Sequence, residues 1–418
     1  MKNKILMPYL LFAISVIINS SLISQTCLPD GITFSSQADV ANFSLNYPDC
    51  TSITGNVKIQ GNINFIGLEQ ITAIEGGIIC NECAGFENFQ GLNNLTSLGF
   101  LSWDEGGEFD FGGLESLETV IDFIDLSEAN FSDFTGLESL ETVGGNFIVQ
   151  ECALFGFNGL VSINSIGGSF IIDENDNLFT LSIFGGLMEI GGDLIIEDNP
   201  AFANIQSFIT IEEIGGALSL INNPSLTELA GLNNLESIGG ALFIEEMSTL
   251  PDVNELANLT AIGGSISILD NPILTNISGI ANIDSESITA LQIVICPQLS
   301  VCSVESVCSF LNLSPQFSQV DSNLTNCNTI EEVLANCEVN SITEEDNTVF
   351  SLMTNQVINE LVIQSNKKQA FIILDSMGRV VREFTHTGTP INVSVLSAGS
   401  YFIRAQSLEG KALRFQKM

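Results

Sequence analysis

Six Gly-Gly pairs recur along the middle of the chain: Gly144-Gly145, Gly167-Gly168, Gly191-Gly192, Gly215-Gly216, Gly239-Gly240 and Gly263-Gly264. The first interval is 23 residues and the next four are 24. Each pair precedes a short apolar run, such as Phe170-Ile171-Ile172, Leu194-Ile195-Ile196 or Ile266-Ser267-Ile268. A fixed period in the twenties with one strand per repeat marks a solenoid, because no repeat can bury its apolar side alone and neighbours must stack. Side chains alternate along a strand, so Leu194 and Ile196 are expected inside and Ile195 on the outer face. Gly-Gly supplies either a positive φ or a close backbone approach just before the strand. Asn-Pro, at Asn199-Pro200, Asn223-Pro224 and Asn271-Pro272, is expected to end it, since Pro cannot donate to the ladder and Asn tolerates turns. Strands reached after a full coil in the same sense pair in parallel.

The earlier coils are looser copies. Residues 68–74, 92–98, 114–120 and 137–143 keep the apolar spacing, but only the last keeps a full Gly-Gly. The stretch from Trp103 to Gly113, rich in Asp, Glu and Gly, reads as an outer loop. From Val57 to Leu291 the pattern predicts about eleven coils, a rod about 50 Å long at one strand per ~4.8 Å. The period stops after Ile295, and short helices are expected over 36–43, 304–311 and 329–336.

Residues 1–24 read as a secretory signal peptide, with Lys2 and Lys4 before an apolar segment from Ile5 to Ile18. No other apolar run is long enough to span a bilayer. Export places the ten cysteines where disulfides persist. They cluster at the two ends of the repeats, where exposed core needs a cap. Cys80, Cys83, Cys152 and Cys296 have no evident partners, and Cys80-x-x-Cys83 leaves a zinc or redox site open.

Ser36-Gln-Ala-Asp-Val40, Cys50 and Ile53-x-Gly55-Asn56-Val57-x-Ile59 resemble the opening of receptor L domains. Gly231-Leu232-Asn-Asn-Leu235-Glu-Ser-Ile238-Gly-Gly240 is similar to their repeat. The resemblance covers about residues 28–340. It implies a mostly β fold, a right-handed parallel β-helix or leucine-rich-repeat-like solenoid with disulfide caps. Leu299-Ser-x-Cys302-x5-Cys308-x-x-Leu311, followed by Cys327 and Cys337, resembles the end caps of secreted bacterial proteins of this class. Cys27 is expected to pair with Cys50, and Cys302, Cys308, Cys327 and Cys337 to form two bridges.

Composition shifts near residue 341. Residues 27–340 carry 43 acids and one base, Lys58, whereas residues 341–418 carry seven acids and eight bases. The latter alternate strands and turns as a small antiparallel β-sandwich. Asp375-x-x-Gly378-x-Val380 and Leu396-x-x-Gly399-x-Tyr401 resemble the C-terminal sorting domain of type IX secretion, although the Asn-Pro usual near its start is missing. That resemblance implies export to the cell surface, contact with the export machinery, and removal of the segment there. The expected organisation is a signal peptide (1–24), an N-terminal cap (25–61), a solenoid (62–295), a Cys-rich cap (296–340) and a sorting domain (341–418).

The only histidine, His386, falls inside the sorting segment, so the rest of the chain has no His base and no His metal ligand. The carboxylates recur at repeat positions, as a solvated face would have them, and the expectation is no enzyme and no cofactor. Asp173-Glu-Asn-Asp176 lacks the spacing and glycine of a calcium loop. Strong acidity disfavours nucleic acid and favours cationic partners. On the expected outer face an apolar stripe (Ile148, Ile171, Ile195, with Phe243 further on) runs beside an acidic one (Asp173, Glu197, Glu245). Two functions fit: a secreted or surface adhesion protein that binds protein or peptide ligands on this face, or a structural surface-layer component that self-associates. A glycan-binding module fits less well, since the repeats offer only Trp103 and Tyr47 for stacking on sugars.

Overall fold

The computed structural model describes residues 25–340, apart from 84, 182, 183 and 185. It also describes 351–418, apart from 353–355, 358, 365–369, 376–378, 386–389 and 406–411. The expected signal peptide, Gly378 and His386 thus lie outside the described residues. The chain forms two compact units, Met1–Asn340 and Ser341–Met418.

The first unit is a stack of parallel strands in two ladders. In the long ladder, rungs such as Phe147–Gln150, Phe170–Asp173, Leu194–Glu197 and Leu218–Ile221 pair residue for residue. It runs from Ile32–Phe34 through Val57–Ile59 to Leu291–Val294, and then to one further rung at Ser318–Asp321. The period therefore does not stop at Ile295. The last coil is longer because it takes in the helix Glu305–Leu313 before its strand. The short ladder stacks two-residue strands, among them Ser165–Ile166, Glu189–Ile190 and Glu213–Ile214.

Gly-Gly forms the corner between the ladders, and its role is close approach. None of the twelve paired glycines has a positive φ. A Cβ on Gly167, Gly191 or Gly215 would lie 2.2–2.3 Å from the carbonyl oxygen of the preceding corner glycine. Positive φ falls elsewhere, at the C-terminal edge of most long rungs. Glu82, Glu105, Glu128, Glu151, Glu174, Asp198, Asn222, Glu246 and Asp270 all sit at φ 48–58°.

Inward positions fill the coil. Leu194, Ile196, Leu218 and Leu220 are fully buried, while Ile195 is half-buried on the outer face. Phenylalanine fills the N-terminal coils, with neighbouring rings such as Phe89 and Phe111, or Phe111 and Phe134, stacked at 6.0 and 5.4 Å. The stretch 103–113 is not simply the expected outer loop: Trp103, Phe109 and Phe111 belong to this core, while Asp104, Glu105, Glu108 and Asp110 between them are exposed. Ser97–Gly106 is one ten-residue strand in both ladders, and Trp103 is 1% exposed among Phe86, Phe89 and Phe109. Inward alternation of Leu101 and Trp103 outweighs the loop-like composition around them, because burying an indole among three phenyl rings removes a large apolar area from water while the acidic side chains stay exposed.

The Asn of Asn-Pro also has a different role from the one its turn propensity suggests. Asn175, Asn199, Asn223 and Asn271 are fully buried, three residues past the rung centre. Asn199 Nδ2 donates to Ile172 O at 2.9 Å and Glu197 O at 2.6 Å, and its Oδ1 accepts from Asn175 N at 3.0 Å. Asn223 repeats this one coil on, donating to Ile196 O and accepting from Asn199 N. These amides link coil to coil where the strand hydrogen bonds have ended. Cys152 and Cys296 occupy the same place as free buried thiols, with Cys152 Sγ donating to Leu126 O. Burial pushes the Cys152 thiol up to about 12 and raises Cys296 as well.

Disulfides join Cys27 to Cys50, Cys302 to Cys327 and Cys308 to Cys337 at the two ends, and Cys80 to Cys83 within the stack. The helix Gln37–Ala41, with Ser36 accepting from Asp39 N, lies at the first end. Glu305–Leu313 and Ile330–Asn340 lie at the other.

The second unit holds a five-stranded sheet. Ala370–Leu374 pairs antiparallel with Val380–Thr385 and Gly399–Ala405, which pairs antiparallel with Ala412–Lys417; Gln356–Val357 adds in parallel at the edge. Phe371, Ile373, Ile403 and Phe415 form its core.

Candidate ligand-binding face

The long ladder presents its outer positions as columns one strand apart. Ile148, Ile171 and Ile195 are Cα partners on consecutive rungs, all half-buried, and form a continuous apolar strip. Ser219 then separates Ile195 from Phe243, so Phe243 stands apart from the strip. The adjoining column reads Gln150, Asp173, Glu197, Ile221, Glu245, Leu269. Asp173 and Glu197 flank the isoleucines, and Glu245 lies two rungs beyond Glu197.

Two features here were not legible from residue types. Ser219 and Ser267 are buried although they sit on the outer side, because Ser219 Oγ donates to Glu197 Oε1 and Ser267 Oγ to Glu245 Oε1, each at 2.5 Å. Each glutamate is thereby folded over the next rung. The left-handed column from Glu82 to Asp270 also adds a second line of carboxylates beside the first. In the first line the Asp173 carboxyl is pushed up to about 6, first by burial and then by Glu174, Glu197, Asp198 and Glu151. A signal for this column exists in hindsight: an acid directly after the strand in coil after coil.

No group of three or more His, Cys, Asp or Glu among the described residues is placed to hold a metal ion. Cys80 and Cys83, read as a possible zinc or redox pair, are bonded to each other and buried.

In the second unit, Asp375 closes a turn by accepting from Arg379 N at 3.0 Å and Arg379 Nε at 2.8 Å. Gly399 opens the strand in which the Tyr401 hydroxyl donates to Ser397 O at 3.0 Å and its ring stacks on Phe415 at 5.7 Å. Residues 355–415 match the family described as the secretion system C-terminal sorting domain. The C-terminal unit is a type IX secretion sorting domain. It addresses the chain to the outer cell surface or beyond, and it implies contact with the export machinery. No helix among the described residues is long and apolar enough to cross a membrane. No curated protein matches the chain.

Proposed function

We propose that this sorting domain delivers a non-enzymatic binding protein of the receptor L-domain type, whose long-ladder face takes protein or peptide ligands, cationic ones by preference. The observation that carries this is the strip Ile148, Ile171 and Ile195, in register and half-exposed, flanked by Asp173 and Glu197. An apolar centre rimmed by charge suits burial against a partner, with the charges choosing which partner. The L-domain reading gains support from Leu194-x-Ile196-x-x-Asn199, which matches the strand-and-asparagine spacing of leucine-rich repeats. Residues 1–24 act as the signal peptide in this scheme, with caps at 25–61 and 296–340 around the solenoid.

Replacing Ile171 and Ile195 together with Lys tests the face, because inward Phe170, Ile172, Leu194 and Ile196 stay untouched. The full chain should keep its far-UV spectrum and unfolding midpoint and lose capture of its surface partner. Unchanged capture would sink the proposal. Concentration-dependent self-association of the wild type that the double substitution abolishes would transfer the face to the structural reading.

A further inference from the structure

Resting on that reading, we infer that the C-terminal end of the same face carries a pocket for the side chain of an arginine in a basic peptide. A groove of about 420 Å³ lies there, lined by Phe243, Glu245, Gln292, Phe317, Ser318 and Gln319. Phe243 and Gln319 belong to one outer column, joined through Ser267 and Gln292 on consecutive rungs. At ~4.8 Å per rung the groove floor is about 14 Å long, enough for a short extended segment. Phe317 ends the turn Pro315–Phe317 just before the final rung, and its ring is 59% exposed although it lines the groove.

The polar groups fit a donor-rich cation. Ser267 Oγ holds Glu245 through Oε1, so the carboxylate is oriented before any ligand arrives. Gln319 Nε2 donates to Asp321 Oδ2 at 2.9 Å, which commits one of its two N–H donors and leaves the amide oxygen as an acceptor. A guanidinium supplies five N–H donors and no acceptor, and its flat faces stack on phenyl rings. Lysine would use the carboxylate but would lack a flat face to stack on a ring. A neutral saccharide would use the rings and leave Glu245 without a counter-charge. In residues 27–340 the one competing base is Lys58, on the second rung of the ladder, far along the stack.

The test uses the full chain and three probes: acetyl-Gly-Arg-Gly-amide, the same peptide with citrulline in place of arginine, and a neutral glucose hexasaccharide. Binding is followed by NMR shifts at low salt. The arginine peptide should bind about tenfold more tightly than the citrulline peptide, which has nearly the same shape without the charge. Phe317→Ala and Glu245→Gln should each weaken it about five- to tenfold. Phe317 is exposed and Gln keeps an acceptor for Ser267, so both variants should fold. Equal binding of the two peptides, indifference to Phe317→Ala, or no binding at about 10 mM (some 2.7 kcal/mol of affinity) overturns the pocket. Hexasaccharide binding lost in Phe317→Ala overturns it in favour of a sugar. Partner capture lost in the isoleucine double variant but unchanged in Phe317→Ala would leave the face standing and remove the pocket.

Discussion

The two halves of the solenoid solve one stacking problem by different means. Coils before residue 140 are filled by rings, from Phe34 and Phe65 to Phe131 and Phe134, with Trp103 among them. Gly106 and Ala129 occupy the places where later coils put Asn, and Ile121 and Asp122 stand at the corner where later coils put Gly-Gly. Coils after residue 165 are filled mostly by Leu and Ile and are linked by the buried amides of Asn175, Asn199, Asn223 and Asn271. The difference explains why one half keeps a strict period and the other drifts. Ring packing tolerates shifts of a residue or so, since dispersion is non-directional. Hydrogen bonds from an Asn to both neighbouring coils, and a corner without room for a Cβ, fix the spacing.

Gly215→Val should be the most damaging way to break that contrast. Its Cβ would meet Gly191 O at 2.2 Å, so the corner must open at a cost of about 3 kcal/mol or more. Ile121→Ala, at the equivalent corner of an early coil and 56% exposed, should cost under about 0.5 kcal/mol. Urea unfolding of the two variants compares them directly, and similar costs would mean that the corner is equally tight throughout.

Asn199→Ala should follow, at about 3 kcal/mol, by stranding Ile172 O, Glu197 O and Asn175 N. Cys152→Asn restores the later coils' amide at a place where a thiol now donates to Leu126 O. It should change stability by less than about 1 kcal/mol. If both substitutions prove equally harmful, thiol and amide are not interchangeable on this line.

The smallest effect belongs to Asp173→Asn. In the folded chain this carboxyl protonates near pH 6, against an ordinary value of 3.8. The folded state therefore holds the proton more tightly, and stability rises as the pH falls through that window. Above it the charge is a penalty. The side chain is only half-buried, so solvent screening reduces that penalty to about 0.5–1 kcal/mol. Asn should recover this amount at pH 7.5 and nothing at pH 4, read from thermal midpoints at both. A gain that persists at pH 4 would rule out the electrostatic cause.

What the residues disclosed, and what they hid, follows the same division. The Gly-Gly register and the alternation of Leu194, Ile195 and Ile196 give the parallel stack and its outer face directly, because both are periodic and steric. Trp103 was hidden by its acidic neighbours, which composition assigns to a loop although every second residue points inward. Asn199 was read as a turn residue because its letter carries no sign of whether the amide faces water or two neighbouring coils. Cys152 looked unpaired for the same reason, since a thiol in the amide's place needs no disulfide. The groove at Phe243 was out of reach, since Phe317 comes from the lengthened last coil, beyond any repeat.

The left-handed column has a consequence for how such a rod meets other molecules. Eight acids and one Asn stand on nine successive rungs from Glu82 to Asp270. At ~4.8 Å per rung this is a line of charge not far from the ~3.4 Å phosphate spacing of a nucleic acid strand. Such a line gathers mobile cations from solution, and a basic partner that docks along it sets them free. Part of the driving force for association then comes from the entropy of released ions, and the affinity should decline linearly with the logarithm of salt concentration. At an outer cell surface, the ionic strength of the surrounding water would set how firmly any basic partner is held along this line.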